Sequence, residues 1–469
     1  MYDTMKRYGF ALFLLIPFSV WSQNLSIRLN NAFNKFLSDT QLRSGIASIY
    51  VADPESGRIL FERNSRIGLA PASTQKIVTS VAGYETLGKD FRFITDFYFK
   101  AENANDKKGN LYIRGNGDPT LGSWRWKETS EKEVLGKVVN AIRKNNINEI
   151  DTIIIDAIGW NDEPFPGGWT WQDIGNYYGA GAREINWREN QYDIVFRSGE
   201  QVGESVNIVE VKPSLHGFEF RNYVTSAGKG TGDLTNIYLP LNSSVITIRG
   251  TIPINEKNFA VSGSMPSGEN EFIETIKDSL GRLGVKVNSV SKVELRNGAT
   301  HDSSDMKLLV SHASPVYDSL EYWFLKKSIN LYGEAILKTI AYLKNGVGAT
   351  DEGVEFIKKF YQSHGIDTAE LSIKDGSGLS PENRVTTHAQ VIILLFAYKQ
   401  PWFKGFYNAI PEYNGMKMKS GTIGRVKGYS GYYYSKSGKK YVFSFLVNNY
   451  EGPESSIVKK MYKVLDEMK

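Results

Sequence analysis

Apolar residues recur at helical spacing towards both ends of the chain and alternate with polar residues through its middle. The C-terminal part is therefore predicted to contain four helices, two strands and a final amphipathic helix, at 317–327, 331–344, 353–363, 387–398, 427–434, 441–447 and 455–469. The N-terminal part is predicted to contain an imperfect helix, a strand hairpin and a second helix, at 25–37, 45–52 with 59–61, and 77–87.

Short alternating runs separated by turn residues dominate the middle of the chain. They predict strands at 93–99, 111–114, 150–155, 206–211 and 244–249, with helices near 131–144 and 271–283. The whole pattern predicts an α/β protein. Residues 23–90 and 305–469 are expected to form one domain from both ends of the chain. Residues 91–304 are expected to form a β-rich insertion of one or two extra domains, with two subdomains favoured.

The N-terminus has the pattern of a cleavable secretory signal. Lys6 and Arg7 precede an apolar run at 10–20, and Val20-Trp21-Ser22 comes directly before Gln23. This run is shorter than the ~20 residues that a membrane-spanning helix needs, and no later run of about 18 apolar residues follows. We therefore expect residues 1–22 to be a signal peptide and the mature protein to reach the periplasm without a transmembrane anchor. The alternative is a buried N-terminal helix.

Composition and charge narrow the functional classes. The 469 residues include no cysteine, which excludes disulfides, cysteine nucleophiles and cysteine-based metal sites. The formal net charge of +5 is spread along the chain, so a nucleic-acid partner is not expected. Aromatic residues make up 13%, a share that suits a carbohydrate- or peptide-handling surface and a β-rich core equally well.

A candidate nucleophile lies in Ser73-Thr74-Gln75-Lys76, at the predicted start of a helix. Side chains three positions apart share one helix face, and a desolvated lysine can act as the base that a serine nucleophile needs. The motif is common, and further Ser-x-x-Lys matches begin at Ser226, Ser289, Ser304, Ser437 and Ser456. Taken alone, Ser73 is better explained as a helix cap.

Two more motifs strengthen the catalytic interpretation. Ser328-Ile329-Asn330 lies between predicted helices, and Lys419-Ser420-Gly421-Thr422 opens the last β region. A second Lys-Ser-Gly, at Lys436, falls in a predicted hairpin turn, where Ser-Gly is ordinary turn chemistry. Ser-x-x-Lys, Ser-x-Asn and Lys-(Thr/Ser)-Gly in this order form the motif set of penicillin-interacting serine acyltransferases.

The sequence resembles the D-alanyl-D-alanine carboxypeptidase/DD-endopeptidase family, the low-molecular-mass class C penicillin-binding proteins. Ser73 and Ser328 are 255 positions apart, and this family carries a large insertion there, whereas class A β-lactamases keep the motifs much closer. Other family-like stretches lie at 115–121, 171–173, 177–180, 375–380 and 383–385. The resemblance implies a penicillin-binding/β-lactamase-like transpeptidase domain, an antiparallel sheet flanked by helices.

The resemblance also implies catalytic roles. Ser73 is expected to attack the carbonyl between two D-alanines and to become acylated, while Lys76 takes its proton. Ser328 is expected to pass the proton to the leaving amine, and Asn330 to bind the substrate backbone and hold Lys76. Backbone N–H groups of Ser73 and Thr422 would form the oxyanion hole.

Substrate-binding roles follow from the same resemblance. Lys419, Ser420, Gly421 and Thr422 are expected to belong to the substrate-binding site, in which Ser420 and Thr422 bind the terminal carboxylate or the adjacent backbone and Lys419 supplies positive charge. Asp173, in the insertion, is expected to pair with a free amino group of the substrate side chain, although it also suits a loop or helix cap. Many relatives have an arginine where this chain has Pro381, and two alternatives stay open: Arg384 replaces it, or the contact is absent.

The expected partners are peptidoglycan stem peptides as substrates and β-lactam antibiotics as inhibitors, with no metal and no cofactor. No Gly-x-Ser-x-Gly elbow is present, and the histidines carry no catalytic or metal-binding motif, which disfavours a Ser-His-Asp hydrolase. Two alternatives stay open. A β-lactamase should lack the long insertion, and a non-catalytic peptidoglycan-binding protein would not need all three motifs.

Overall fold

The computed structural model describes residues 17–103, 106–293 and 305–469. The predicted signal peptide, 1–22, lies mostly outside these residues, and its cleavage stays a prediction. No helix in the described ranges combines the length and the hydropathy that a bilayer span requires.

The described residues form nineteen strands and eleven α-helices. The strands are β1 Ile46–Ala52, β2 Ile59–Arg63, β3 Ile94–Ala101, β4 Lys108–Gly115, β5 Glu149–Asp156, β6 Gln191–Arg197, β7 Asn207–Lys212, β8 Glu219–Ala227, β9 Leu234–Tyr238, β10 Val245–Pro253, β11 Phe259–Ser264, β12 Lys286–Val293, β13 Lys307–Ala313, β14 Leu371–Ser372, β15 Arg384–Val385, β16 Glu412–Tyr413, β17 Met416–Ile423, β18 Val426–Tyr434 and β19 Lys440–Asn448. The helices are α1 Pro17–Leu37, α2 Lys76–Thr86, α3 Glu131–Lys144, α4 Trp171–Ile174, α5 Gly268–Gly281, α6 Tyr317–Glu321, α7 Asn330–Asn345, α8 Thr350–Ser363, α9 Thr387–Tyr398, α10 Phe403–Ala409 and α11 Glu454–Leu465.

An antiparallel sheet of six strands, in the order β16-β17-β18-β19-β1-β2, is the framework of the domain that carries the motifs. Strand β1, from the N-terminal part, pairs with β19, from the C-terminal part, with Ala47 opposite Val447. Both ends of the chain therefore build one sheet, and the predicted fold class is confirmed.

Helices cover both faces of this sheet. On one face, α2, α7, α8 and α9 contribute to a single apolar core, in which Ile77, Val78 and Val81 of α2 are fully buried. On the other face, α1 and α11 pack together over the sheet. The imperfect periodicity of α1 has a simple explanation, because Ile27 is 60% exposed while Leu29 and Phe33 are fully buried.

The insertion has two apolar cores. One lies in a five-stranded sheet, β12-β5-β4-β3-β13, packed with α3 and α5. The other is shared by two three-stranded sheets, β8-β10-β9 and β11-β6-β7. Strand β13 pairs with β3 in the first sheet, although it lies beyond residue 304, where we predicted the insertion to end. The division of the chain into domains stays a prediction.

Candidate active site

A tight turn brings Ser73 to the start of α2. Residues Ala72–Gln75 form a single 3₁₀ turn, and α2 begins at Lys76. The Thr74 hydroxyl donates to the Pro71 carbonyl at 2.7 Å, which fixes the turn. Ala72 has a φ of 46°, a left-handed conformation that costs a non-glycine residue on the order of 1–3 kcal/mol. Strain of this kind is common where a nucleophile must be exposed.

Lys76 contacts Ser73 and two hydrogen-bond acceptors. Its Nζ lies 3.1 Å from Ser73 Oγ, 2.6 Å from Asn330 Oδ1 and 2.8 Å from the Ser377 carbonyl oxygen. These partners come from three distant parts of the chain, namely the start of α2, the start of α7 and the loop after β14. The fold therefore joins the first two motifs at one ammonium group.

Burial makes Lys76 a weaker base than an ordinary lysine. The side chain is fully buried, and this desolvation lowers the pKa of Lys76 to about 7, against the opposing effect of the Asp375 and Glu334 carboxylates. Near neutral pH a large fraction of Lys76 is therefore uncharged and able to accept a proton.

The loop that supplies the Ser377 carbonyl is organised by a fully buried carboxylate, Asp375. Asp375 accepts hydrogen bonds from side chains and backbone N–H groups around it: Gln75 Nε2, Gly378 N, Ser380 N, Asn383 Nδ2 and Trp169 Nε1. Gln75 lies inside the Ser-x-x-Lys motif and Trp169 lies in the insertion. Asp375 lies in the family-like stretch 375–380, but its role depends on tertiary contacts that no sequence motif indicates.

Glu334 is a second buried carboxyl group that sequence analysis missed. It lies one turn after Asn330 on α7, and its Oε2 accepts from the Gly376 backbone N–H at 2.9 Å. Burial, and then the nearby Asp375 carboxylate, raise the pKa of Glu334 to about 8. The only feature of the sequence that could have indicated Glu334 is a glutamate on the buried face of a helix.

Asn330 connects the motif-bearing domain to the insertion. Its Oδ1 accepts from Lys76, and its Nδ2 donates to the Tyr178 carbonyl at 2.8 Å. Ser328 lies two residues earlier in a left-handed conformation, with a φ of 61°. Among the described residues the Ser328 hydroxyl has no hydrogen-bond partner, so its expected relay role stays a prediction.

Strand β17 brings the third motif beside Ser73. Gly421 must be a glycine, because a Cβ there would lie 2.6 Å from the Pro71 carbonyl oxygen and 2.9 Å from the Ser73 nitrogen. Strand β16 pairs only with Lys417 and Met416, so the outer edge of β17 from Met418 onward has no neighbouring strand in the described ranges. A peptide can add to such an edge by backbone hydrogen bonding.

Lys419 is the buried lysine of this strand. It is only 2% exposed, and its Nζ donates to the Ser420 carbonyl at 2.8 Å. Burial, and then the charges of Lys76 and Lys427, hold the pKa of Lys419 well below its usual range. Side chains alternate along a strand, so Lys419 and Gly421 face the α2 side of the sheet, while Ser420 and Thr422 share the side of Met418, towards α11.

Asp173 lies in α4, close to the segment that contacts Asn330. Its carboxylate accepts from Thr170 Oγ1 at 2.7 Å and from the Tyr178 hydroxyl at 3.4 Å. The Tyr178 carbonyl in turn accepts from Asn330. Asp173 is partly exposed and has no ion-pair partner among the described residues.

Arg384, the candidate replacement for the arginine missing at Pro381, is engaged locally. Its Nη1 donates to the Pro381 carbonyl at 2.6 Å and to the Asn383 carbonyl at 2.7 Å. A contact between Arg384 and substrate stays a prediction.

Comparison with solved structures supports the fold. Penicillin-binding protein 4 (dacB) from Haemophilus influenzae matches with a TM-score of 0.77 and 19% identity, over 95% of this chain and 98% of that chain. At this level of identity the match establishes the fold alone.

Curated relatives match over most of their length. A D-alanyl-D-alanine carboxypeptidase from Actinomadura sp. strain R39 is 25% identical, over 91% of this chain and 82% of the relative. D-alanyl-D-alanine carboxypeptidase DacB from Haemophilus influenzae is 23% identical, over 84% and 83%. The D-Ala-D-Ala carboxypeptidase 3 (S13) family model matches residues 29–468. The chain therefore belongs to the D-Ala-D-Ala carboxypeptidase 3 (S13) family and is a serine DD-peptidase.

Proposed function

We propose that Ser73 is the nucleophile of this peptidase and that Lys76 is its general base. The observation that carries the proposal is the fully buried Lys76 Nζ at 3.1 Å from Ser73 Oγ. A neutral lysine amine has two N–H groups and one lone pair. Asn330 Oδ1 and the Ser377 carbonyl can accept both N–H groups, which leaves the lone pair directed towards the Ser73 hydroxyl.

The reaction then proceeds in two steps. Ser73 Oγ attacks the carbonyl carbon between two D-alanines, and Lys76 accepts the hydroxyl proton. The C–N bond breaks, the proton passes to the departing amine with Ser328 as the proposed relay, and an acyl-enzyme remains on Ser73. Water hydrolyses this ester. Backbone N–H groups of Ser73 and Thr422 are the proposed oxyanion hole, in support of which the backbones at Gly421 and Ser73 are in close contact.

The proposed substrates are peptidoglycan stem peptides. The proposed location of the protein is the periplasm. The free edge of β17 would bind the peptide backbone. Ser420 and Thr422 would bind the terminal carboxylate or the adjacent backbone, and Lys419 would supply positive charge from the other side of the strand. β-Lactam antibiotics would acylate the same serine as inhibitors. Rapid turnover of penicillin would instead favour a β-lactamase, and failure to react with penicillin would favour a non-catalytic binding protein.

Replacing Ser73 by alanine is expected to abolish release of D-alanine from a peptide that ends in D-Ala-D-Ala, because the acyl-enzyme can no longer form. Quantifying released D-alanine for the two proteins checks this. Ser437→Ala is the matched control, since it removes another Ser-x-x-Lys serine, in the turn between β18 and β19, and should leave the rate unchanged. Activity that survives in Ser73→Ala would contradict the proposal.

Asp173→Asn is expected to slow hydrolysis of peptides that carry a free side-chain amine, because a charge-assisted hydrogen bond to the ammonium is lost. The expected penalty is about 1–3 kcal/mol, or roughly fivefold to 150-fold in kcat/KM. Peptides whose side-chain amine is acetylated serve as the matched substrates and should be almost unaffected. If Asp173→Asn slows both substrates equally, or neither, Asp173 has only a structural role.

A further inference from the structure

Lys427 lies beside the carboxylate-binding strand, although it belongs to none of the three motifs. It stands on β18 directly opposite Thr422 of β17. Its Nζ is 2.8 Å from Thr422 Oγ1 and 2.6 Å from Glu454 Oε1, and the Glu454 oxygen is itself 3.2 Å from Thr422 Oγ1. Lys427, Thr422 and Glu454 thus form one compact cluster of an ammonium, a hydroxyl and a carboxylate.

The lysine of this cluster is buried, whereas the threonine and the glutamate are accessible to solvent. Lys427 is 7% exposed, whereas Thr422 is an exposed residue and the Glu454 side chain is 46% exposed. A buried ammonium beside an accessible hydroxyl can bind an anion. In this structure the Glu454 carboxylate pairs with the ammonium, and the Glu454 side chain faces solvent and can rotate away.

We propose that Lys427 is a specificity-determining residue that selects leaving groups with a free carboxylate, and that Glu454 takes the place of this carboxylate in the unliganded enzyme. The proposal rests on the proposed function, in which Thr422 contacts the substrate carboxylate. A carboxylate that accepts from Thr422 Oγ1 would lie about 3–5 Å from Lys427 Nζ, within reach of a direct charge-assisted contact.

Two matched peptides test this inference, one ending in D-Ala-D-Ala with a free carboxylate and one ending in D-alaninamide. Lys427→Gln is expected to lower kcat/KM for the acid about tenfold to a hundredfold, the usual effect of losing a hydrogen bond to a charged group, and to leave the amide within about twofold. Lys427→Arg should retain most of the preference for the acid. Lys436→Gln, which changes an exposed lysine in the turn that follows β18, is the control.

Glu454→Gln removes the competing charge and is expected to lower KM for the acid severalfold without changing KM for the amide. An acid-to-amide ratio that stays at the wild-type value in folded Lys427→Gln would overturn the role of Lys427. An unchanged KM for the acid in Glu454→Gln would overturn the role of Glu454. Failure of the proposed function is distinguishable, since it would appear as activity in Ser73→Ala, whereas the present inference concerns only the ratio between two substrates.

Discussion

Lys76→Met is expected to reduce the rate of Ser73 acylation by roughly 10³- to 10⁴-fold, at the upper end of what general-base catalysis contributes. Methionine has a similar length and no lone pair basic enough to accept the hydroxyl proton. It also leaves the Asn330 and Ser377 oxygens without their donor. Stopped-flow or quenched measurement of acylation by a penicillin gives the rate constant directly.

The pH dependence of the same rate gives a second expected result. Burial lowers the pKa of Lys76 to about 7, so the neutral base predominates above that pH. Acylation by the wild-type enzyme should therefore fall about tenfold per pH unit as the pH drops below about 7, and Lys76→Met should lose this dependence.

Lys338→Met is the matched control for Lys76→Met. Lys338 is another buried lysine, 1% exposed, and burial lowers its pKa to about 8. It lies two turns after Asn330 on α7 and donates to the Ala182 carbonyl at 3.1 Å, away from Ser73. Acylation by Lys338→Met should stay near the wild-type rate. Near-normal acylation in Lys76→Met would show that another group is the base.

Lys419→Ala is expected to reduce acylation about 10²- to 10³-fold, because it removes the buried lysine that is proposed to supply positive charge near the substrate carboxylate and the oxyanion. Lys436→Ala is the matched control, since Lys436 also begins a Lys-Ser-Gly. The two copies differ in their place in the fold. Lys419 is buried in β17, the strand that approaches Ser73 at Gly421, while Lys436 is exposed in a turn.

Acylation rates of the two variants, with thermal unfolding as a check on folding, decide between the copies. Equal losses in Lys419→Ala and Lys436→Ala would contradict the assignment of the third motif to β17. Loss in Lys436→Ala alone would reverse it.

Local sequence signals predicted the helices best. Helices 131–144 and 387–398 were predicted with the bounds that the structure has. The second helix also has a strong start signal, since the Thr386 side chain accepts from the Ala389 N–H. Predictions were weaker for strands whose pairing partners are distant in sequence. The role of β13 depends on pairing with β3, about two hundred residues earlier, which no local pattern encodes.

The candidate site divides in the same way. Motif order and spacing predicted Ser73, Lys76 and Asn330 as residues of one site. The fold brings these three together through contacts of 3.1 Å or less. Asp375, Glu334 and the Tyr178 carbonyl could not be predicted, because a buried carboxylate or a backbone acceptor gains its role only from tertiary packing. The role proposed for Lys427 depends on the register of β17 against β18, which places Lys427 opposite Thr422.

Mass spectrometry of the mature protein incubated with benzylpenicillin, followed by peptide mapping, tests the central claim most directly. We predict one covalent adduct with the mass of the intact antibiotic, located on Ser73 in the peptide that contains Ser73-Thr74-Gln75-Lys76. An adduct on Ser226, Ser289, Ser304, Ser437 or Ser456, or no adduct at all, would contradict the account.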